Sequence, residues 1–528
     1  MSSPVFKVEM HFPMNATNNM ESHTSPNRVS IMPDKSDEKY HDSEPGHSGS
    51  LRHGDVTIQS VKPFTTLSAL GIGYGTTNTA VGLLLVLGST LPMGGTPLFF
   101  WGFLIQALVG LATATTLAEL VSAMPHPGGQ YVWVNRLAPA RYRRVLSYFT
   151  AVISWIAAVA TGASACLSVP VGACAIISLL DPTFVYKRWM GFVGFQLLNI
   201  ITVICASFEH ALPKISKVML LFSCLTIVTI FITLFAMSDT HIPAKDFFTK
   251  SVNISGWPKG IAFIIGMNGA NWSFSCLDVA THLAEEMPSP KTDIPKALMW
   301  TIVVGFVSGL LVVISVLTNV SAIDGADDNS AVALFYRITD SKAAAVGLWV
   351  PVLITTAGAV WSIQTWQSRL AWTISREAGF PLHRHLSKLA PSPLHTPIWS
   401  LIWSASGTAI FGCLYLGSEL AFNSLISTGI LLQYISYSIP AILMLSQGRS
   451  NFQHGPFWYP RLGLLANLTM LAWTVVALIF YCFPYYKAVV ADQMNYASAV
   501  LGGIGVLTVC LWFFYAKKNY EVKEILED

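Results

Sequence analysis

Leu70-Gly71-Ile72-Gly73-Tyr74-Gly75-Thr76-Thr77-Asn78-Thr79 sets three alternating glycines and then four consecutive small polar residues inside an apolar run. A dinucleotide-binding loop uses glycines this way only after a strand, and no strand pattern precedes Leu70. Gly71 and Gly75 form a GxxxG pair, a close-packing face for membrane helices. Packing explains the glycines but not Thr76 to Thr79. A matching run follows at Gly266-Met267-Asn268-Gly269-Ala270-Asn271-Trp272-Ser273-Phe274-Ser275. Polar backbone at membrane depth is tolerated only where it lines a cavity or is buried in protein. Two interrupted helices in corresponding positions of two halves point to an inverted-repeat transporter.

The composition requires a membrane. Of 528 residues, 53% are hydrophobic and 11% charged, with mean hydropathy +0.53, whereas soluble domains carry about a quarter charged. A soluble enzyme is excluded. Lys and Arg total 31 against 28 Asp and Glu, so the net charge of +3 leaves no footprint for nucleic acid. The 8 cysteines all lie in apolar stretches, as small hydrophobes do, and make no disulfide framework.

Twelve apolar runs are long enough to cross the bilayer: 64–91, 97–121, 145–180, 189–207, 218–237, 259–284, 298–320, 343–368, 397–415, 420–445, 462–482 and 495–516. The expected fold is an all-α polytopic membrane protein, with a transporter domain over 64–516. The third run exceeds one simple crossing, so it is expected to run obliquely or carry an interfacial extension. Residues 1–63 are polar, are expected to hold no signal peptide and read as a disordered cytosolic tail; 517–528 reads as a second cytosolic tail. Lys and Arg concentrate on the side of the N-terminus, among them Arg136, Arg141, Arg143, Arg144, Arg369 and Arg376. The positive-inside rule makes that side cytosolic.

The substrate contacts expected at the first break are Gly75, Thr77, Asn78 and Thr79, and at the second Trp272, Ser273, Phe274 and Ser275. Half-helix ends there offer backbone dipoles to an anionic group, and aromatic faces attract a cation. A zwitterion or organic cation fits such a cleft. Ionisable groups within the spans are Glu119 and Asp278, with His282, Glu285, Glu286 and Arg369 at their cytosolic ends. A buried carboxylate is a functional candidate by default. Asp278 follows the second break and can bind a proton, a substrate amine, or the broken helix itself. Glu119 is the second proton-coupling candidate, although a basic residue of a neighbouring loop is its expected partner. Asp278, His282 and Glu285/Glu286 share a helix face, but one helix without an HExxH pattern makes no metal site. Asn253-Ile254-Ser255 is a glycosylation sequon. Asp324, Asp327 and Asp328 lack calcium-loop spacing and read as a solvated face.

Three loops carry a family resemblance. Pro125, Gly128-Gly129 and Tyr131 resemble the P-x-x-GG-x-Y loop of amino acid–polyamine–organocation permeases. Glu285-Glu286, Pro290, Asp293-Ile294-Pro295 and Ala297 resemble their EE-x-x-x-P-x-x-DIP-x-A motif, and Ser368-Arg369, Arg376-Glu377, Gly379 and Pro381 their SR…R[DE]-x-G-x-P motif. Within that superfamily, Thr76-Thr77-Asn78-Thr79 and Asp278-Val279-Ala280-Thr281-His282 are similar to the amino acid/choline transporter branch. The resemblance implies a 5+5 inverted repeat with broken helices one and six plus two C-terminal helices. It implies uptake of amino acids, choline or related amines, usually with a proton. It further implies that the residue at Trp272 stacks on substrate and that the acid at Asp278 senses protons. A glycine is usual where this chain has Cys276.

A secondary transporter is therefore expected, with an amino acid or amine, a proton and the lipid bilayer as its partners and no cofactor. The plasma membrane is expected over the vacuolar membrane. No ATP-binding loop is present, so a gradient must drive it. The rivals are a channel-like facilitator, an embedded enzyme, which needs ionisable groups from several helices, and a nutrient sensor that binds without flux.

Overall fold

The computed structural model describes residues 64–208, 211–238, 244–249, 251–319, 330–391, 394, 396–487 and 494–522. The expected tail over 1–63, the acidic run at Asp324, Asp327 and Asp328, and residues 523–528 lie outside them.

The described chain is helical: α1 (Thr66–Thr77), α2 (Thr79–Leu85), α3 (Leu87–Ala123), α4 (Gln130–Leu137), α5 (Arg143–Leu180), α6 (Arg188–Ala206), α7 (Leu212–Ala236), α8 (Ala244–Thr249) and α9 (Lys259–Trp272) come first. A 3-10 segment (Leu277–Glu286) separates these from α10 (Pro290–Thr318), α11 (Ala331–Thr339), α12 (Lys342–Arg376), α13 (His383–Leu386), α14 (Ile398–Gly417), α15 (Glu419–Gln447), α16 (Pro460–Phe480) and α17 (Ala497–Leu511). A π turn (Trp512–Ala516) then leads into α18 (Lys517–Asn519). Ten helices among the described residues are long and apolar enough to cross a membrane. The other two expected crossings are the interrupted ones, whose longest pieces are the 12 residues of α1 and the 14 of α9. The long third run is one helix of 38 residues, about 57 Å at 1.5 Å per residue, well beyond the hydrocarbon thickness. Leu197, Ile200, Ile204, Leu221, Leu225 and Ile232 of α6 and α7 point outward, as lipid-facing residues do.

Local rules account for where these helices begin. Thr65 and Ser68 cap α1 reciprocally, and proline opens α10 and α16, where a missing N–H costs nothing. The core forms where α1 packs on α7, α10 and α12. Gly71 makes the contact with α7 possible, because a Cβ there would meet the Ser216 carbonyl oxygen at 2.7 Å.

Both interruptions turn on one residue. The glycines of the first stretch stay helical, and the chain breaks only at Asn78, with φ 34° and ψ 57°. Asparagine tolerates this left-handed region better than other side chains. The second break falls after Trp272 and ends at Cys276, with φ 64° and ψ 32°. There the chain resumes as a ten-residue 3-10 helix, far longer than the usual three or four residues of that geometry.

Candidate functional site

The two breaks face each other across a small cavity of about 30 Å³, lined by Thr76, Thr77, Asn78, Thr161, Trp272, Ser275 and Cys276 among others. A larger cavity of about 390 Å³ lies beyond it, lined by Thr90, Asn268, Trp272, Ser427 and Tyr485 among others. Trp272 belongs to both walls and therefore stands between them. No charged side chain lines either cavity among the described residues. The hydroxyls of Thr76 and Thr77 and the indole N–H of Trp272 are buried without a hydrogen-bond partner, and such groups are costly unless a ligand or water completes them.

The eight expected contact residues divide. Thr77, Asn78, Trp272 and Ser275 line the inner cavity. Gly75 does not, and its nearest neighbour is the Ser362 hydroxyl. Thr79 is packed against Gly305 and Gly309. Ser273 lies against Gly82 and donates to the Gly269 carbonyl at 3.2 Å. Phe274 turns into the core, its ring 5.7 Å from that of Phe103.

The broken backbone is held from α15. The Cys276 N–H donates to Gln433 Oε1 at 2.9 Å, and Gln433 Nε2 donates to the Thr161 hydroxyl at 3.0 Å. The Ser223 hydroxyl donates to Asn78 Oδ1 at 3.0 Å and steadies the first break. Two residues past Cys276, Asp278 is buried among donors. Gln130 Nε2 reaches its Oδ2 at 2.7 Å, and the Tyr437 hydroxyl donates to its Oδ1 at 2.6 Å. His282 Nε2 lies 3.3 Å from the same Oδ2. Gln130, Gln433, Tyr437 and Thr161 were not singled out from sequence. For Gln433 and Tyr437 the signal available was two polar groups four apart within the apolar α15; Gln130 and Thr161 carried none.

The three motif loops meet at the end of the molecule away from the larger cavity. Arg376 donates to Glu285 at 3.0 Å and Arg369 to Glu286 at 3.0 Å, tying α12 to the 3-10 segment. Gly129 has φ 54°, and a Cβ on it would sit 3.2 Å from the His282 ring, so the loop glycine serves both the turn and the contact. Glu119 accepts two bonds from Arg449, at 2.8 and 2.9 Å, and a third from the Tyr459 N–H at 3.1 Å. Asn253 donates through its amide nitrogen to the Trp257 carbonyl at 2.8 Å, within the loop before α9.

Comparisons with known proteins agree with this architecture. The amino acid permease family model matches residues 64–506. The chain is 68% identical over 470 residues to the transmembrane transporter swnT of Metarhizium robertsii, covering 89% of this chain and 94% of that protein. It is 67% identical to the swainsonine transporter swnT of Arthroderma benhamiae, over 90% of this chain and 96% of that protein. It is 36% identical to the choline transporter of Saccharomyces cerevisiae, over 90% of this chain and 85% of that protein. With the family model spanning the helical core and these relatives covering nearly its full length, the chain belongs to the amino acid permease family and is a multi-pass transmembrane transporter, not an enzyme.

Proposed function

We propose that this protein is a secondary transporter for a small hydroxylated organic amine, bound between the two breaks where the inner cavity meets the larger one at Trp272, and moved together with a proton. The observation that carries this reading is the unpartnered hydroxyls of Thr76 and Thr77 and the indole of Trp272, on a cavity wall that lacks charge. With no carboxylate on the wall, a cation is held by the face of Trp272 and by the carbonyl end of α1. Threonine hydroxyls complement an alcohol. Relatives named as swainsonine and choline transporters support the same class, since the first compound is a hydroxylated amine and the second a hydroxylated quaternary ammonium.

In this reading the fold is the 5+5 inverted repeat, and the end carrying Arg369 and Arg376 is cytosolic, as are both termini. The larger cavity then opens to the outside of the plasma membrane, and the ion pairs of the motif loops close the inner side. Trp272 caps the bound ligand. Asp278 carries the coupling proton; it is preferred to Glu119 because Arg449 and the Tyr459 N–H already engage that carboxylate.

The test is uptake of labelled choline and labelled swainsonine in a permease-deficient host, in competition with amino acids and polyamines. Saturable uptake blocked by hydroxylated amines is expected. Uptake blocked only by α-amino acids would overturn the substrate class, and binding without flux would favour a sensor.

A further inference from the structure

The carbonyl oxygen of Pro127 lies 2.6 Å from Nδ1 of His282. A carbonyl can only accept, so Nδ1 carries the hydrogen. The other ring nitrogen, Nε2, faces Asp278 Oδ2 at 3.3 Å, and both side chains are buried. With Nδ1 protonated, a neutral imidazole presents a lone pair at Nε2, and an ionised carboxylate presents only lone pairs. These two atoms attract only if one proton lies between them. On Nε2 it makes an ion pair, and on Oδ2 it makes a neutral acid donating to the ring. Gln130 and Tyr437 supply the remaining hydrogen bonds of the carboxylate. Room remains for one exchangeable proton.

We infer that Asp278 and His282 form a single proton-binding site in which one proton is shared between Oδ2 and Nε2, with the Pro127 carbonyl fixing the tautomer. This deepens the proposed proton-coupled transport and rests on it. The site spans the molecule's working parts. Asp278 lies two residues beyond the left-handed Cys276 at the break, whereas His282 is pinned to the motif loop that carries Pro127 and Gly129. Loss of the proton sets a carboxylate against a lone pair inside the protein, which is costly. The 3-10 segment must then shift against the loop, and it is this segment that ends in Glu285 and Glu286, the partners of Arg376 and Arg369. Proton release thereby loosens the closed face.

Other titratable groups near the pair are Tyr437 from α15, Cys276 on the same stretch, His126 of the loop before α4, and the two arginine–glutamate pairs. Burial first, then the charges of Arg376 and Arg136, lowers His126 to about 3. It therefore stays neutral at working pH and does not compete for the proton.

The experiment compares pH profiles of labelled choline and swainsonine uptake for the natural protein, His282→Gln, Asp278→Asn and the double variant, at matched amounts of inserted protein. Glutamine still donates to Pro127 but cannot take up a proton. A gradient of one pH unit supports about tenfold accumulation per coupled proton. Each single variant is expected to lose that accumulation and its pH dependence while keeping substrate exchange, and the double variant to be no worse than either. His282→Gln that accumulates substrate with the natural pH profile overturns the shared site, as does a double variant whose loss is the product of the single losses. A second readout needs no variant: the purified full chain in liposomes with an internal pH dye must move protons as substrate enters. Net substrate uptake without proton movement overturns the site and leaves transport standing. Absence of any exchange overturns the transport reading and the site with it.

Discussion

Asn78 and Cys276 share a left-handed backbone conformation, φ 34° and 64°, and each is the residue at which a membrane-crossing helix is interrupted. The two positions are unequal in cost. Asparagine visits this region readily, while a cysteine there is held against a steric penalty of about 1–2 kcal/mol.

Cys276→Gly is therefore expected to insert and fold with thermal stability equal to or above the natural protein, since glycine has no such penalty. Cys276→Val, branched at Cβ, is expected to lose stability on the order of 1–3 kcal/mol. Thermal melting of the detergent-solubilised protein, followed by size-exclusion profile, measures both. A valine variant as stable as the glycine variant would show that the left-handed turn at Cys276 carries no strain.

Trp272 forms part of the wall of both cavities. If its face holds the ammonium group, Trp272→Ala is expected to weaken substrate affinity by roughly 1–2 kcal/mol, while Trp272→Phe keeps much of it. Half-saturation constants of uptake distinguish the cases. Equal constants for the two variants would reduce Trp272 to a packing residue.

The Glu119–Arg449 pair is almost fully enclosed, with side-chain exposures of 0% and 10%. Glu119→Gln leaves the guanidinium facing Asn467 and Trp458 without its counter-charge, a loss on the order of 3–5 kcal/mol for a buried pair. A drop in melting temperature, partly recovered in the double variant with Arg449→Gln, is expected. An unchanged melting temperature with a flattened pH profile of uptake would instead make Glu119 a proton carrier.

His126 gives a pH dependence of stability with a definite sign. Its ring titrates near 6.5 when exposed and is lowered to about 3 in the folded loop, chiefly by burial. Between those values the unfolded chain binds the extra proton, so stability falls as pH falls, by up to about 1.4 kcal/mol per pH unit. The natural protein is expected to lose more of its melting temperature between pH 7 and pH 5 than His126→Asn does. Equal losses would contradict the assignment.

Hydropathy alone revealed the crossings, because each helix must bury an apolar run of bilayer length. It also revealed both breaks, since Asn78 and the Asn271–Ser275 stretch are polar where lipid permits no polarity. Their mechanics were less legible. The packing role read from the GxxxG pair holds for Gly71, which lies against Ser216, but the partner itself, from a distant helix, could not be read from the sequence. The same holds for Asp278: its position in a span and its shared face with His282 marked it, but Gln130 and Tyr437 reach it from α4 and α15. Thr79, Ser273 and Phe274 were grouped with the site by adjacency, whereas helix rotation turns them into the packing.

The claim that substrate binds between the breaks is tested most directly at Thr77, whose hydroxyl is buried without a partner beside the inner cavity. The measurement is counterflow of labelled choline and labelled swainsonine by purified natural protein and by Thr77→Leu in liposomes, with folding checked by melting temperature. The natural protein is expected to exchange at least one of them saturably, and Thr77→Leu to exchange neither, although it is inserted and folded. Unaltered saturable exchange by a folded Thr77→Leu protein would place the binding site elsewhere.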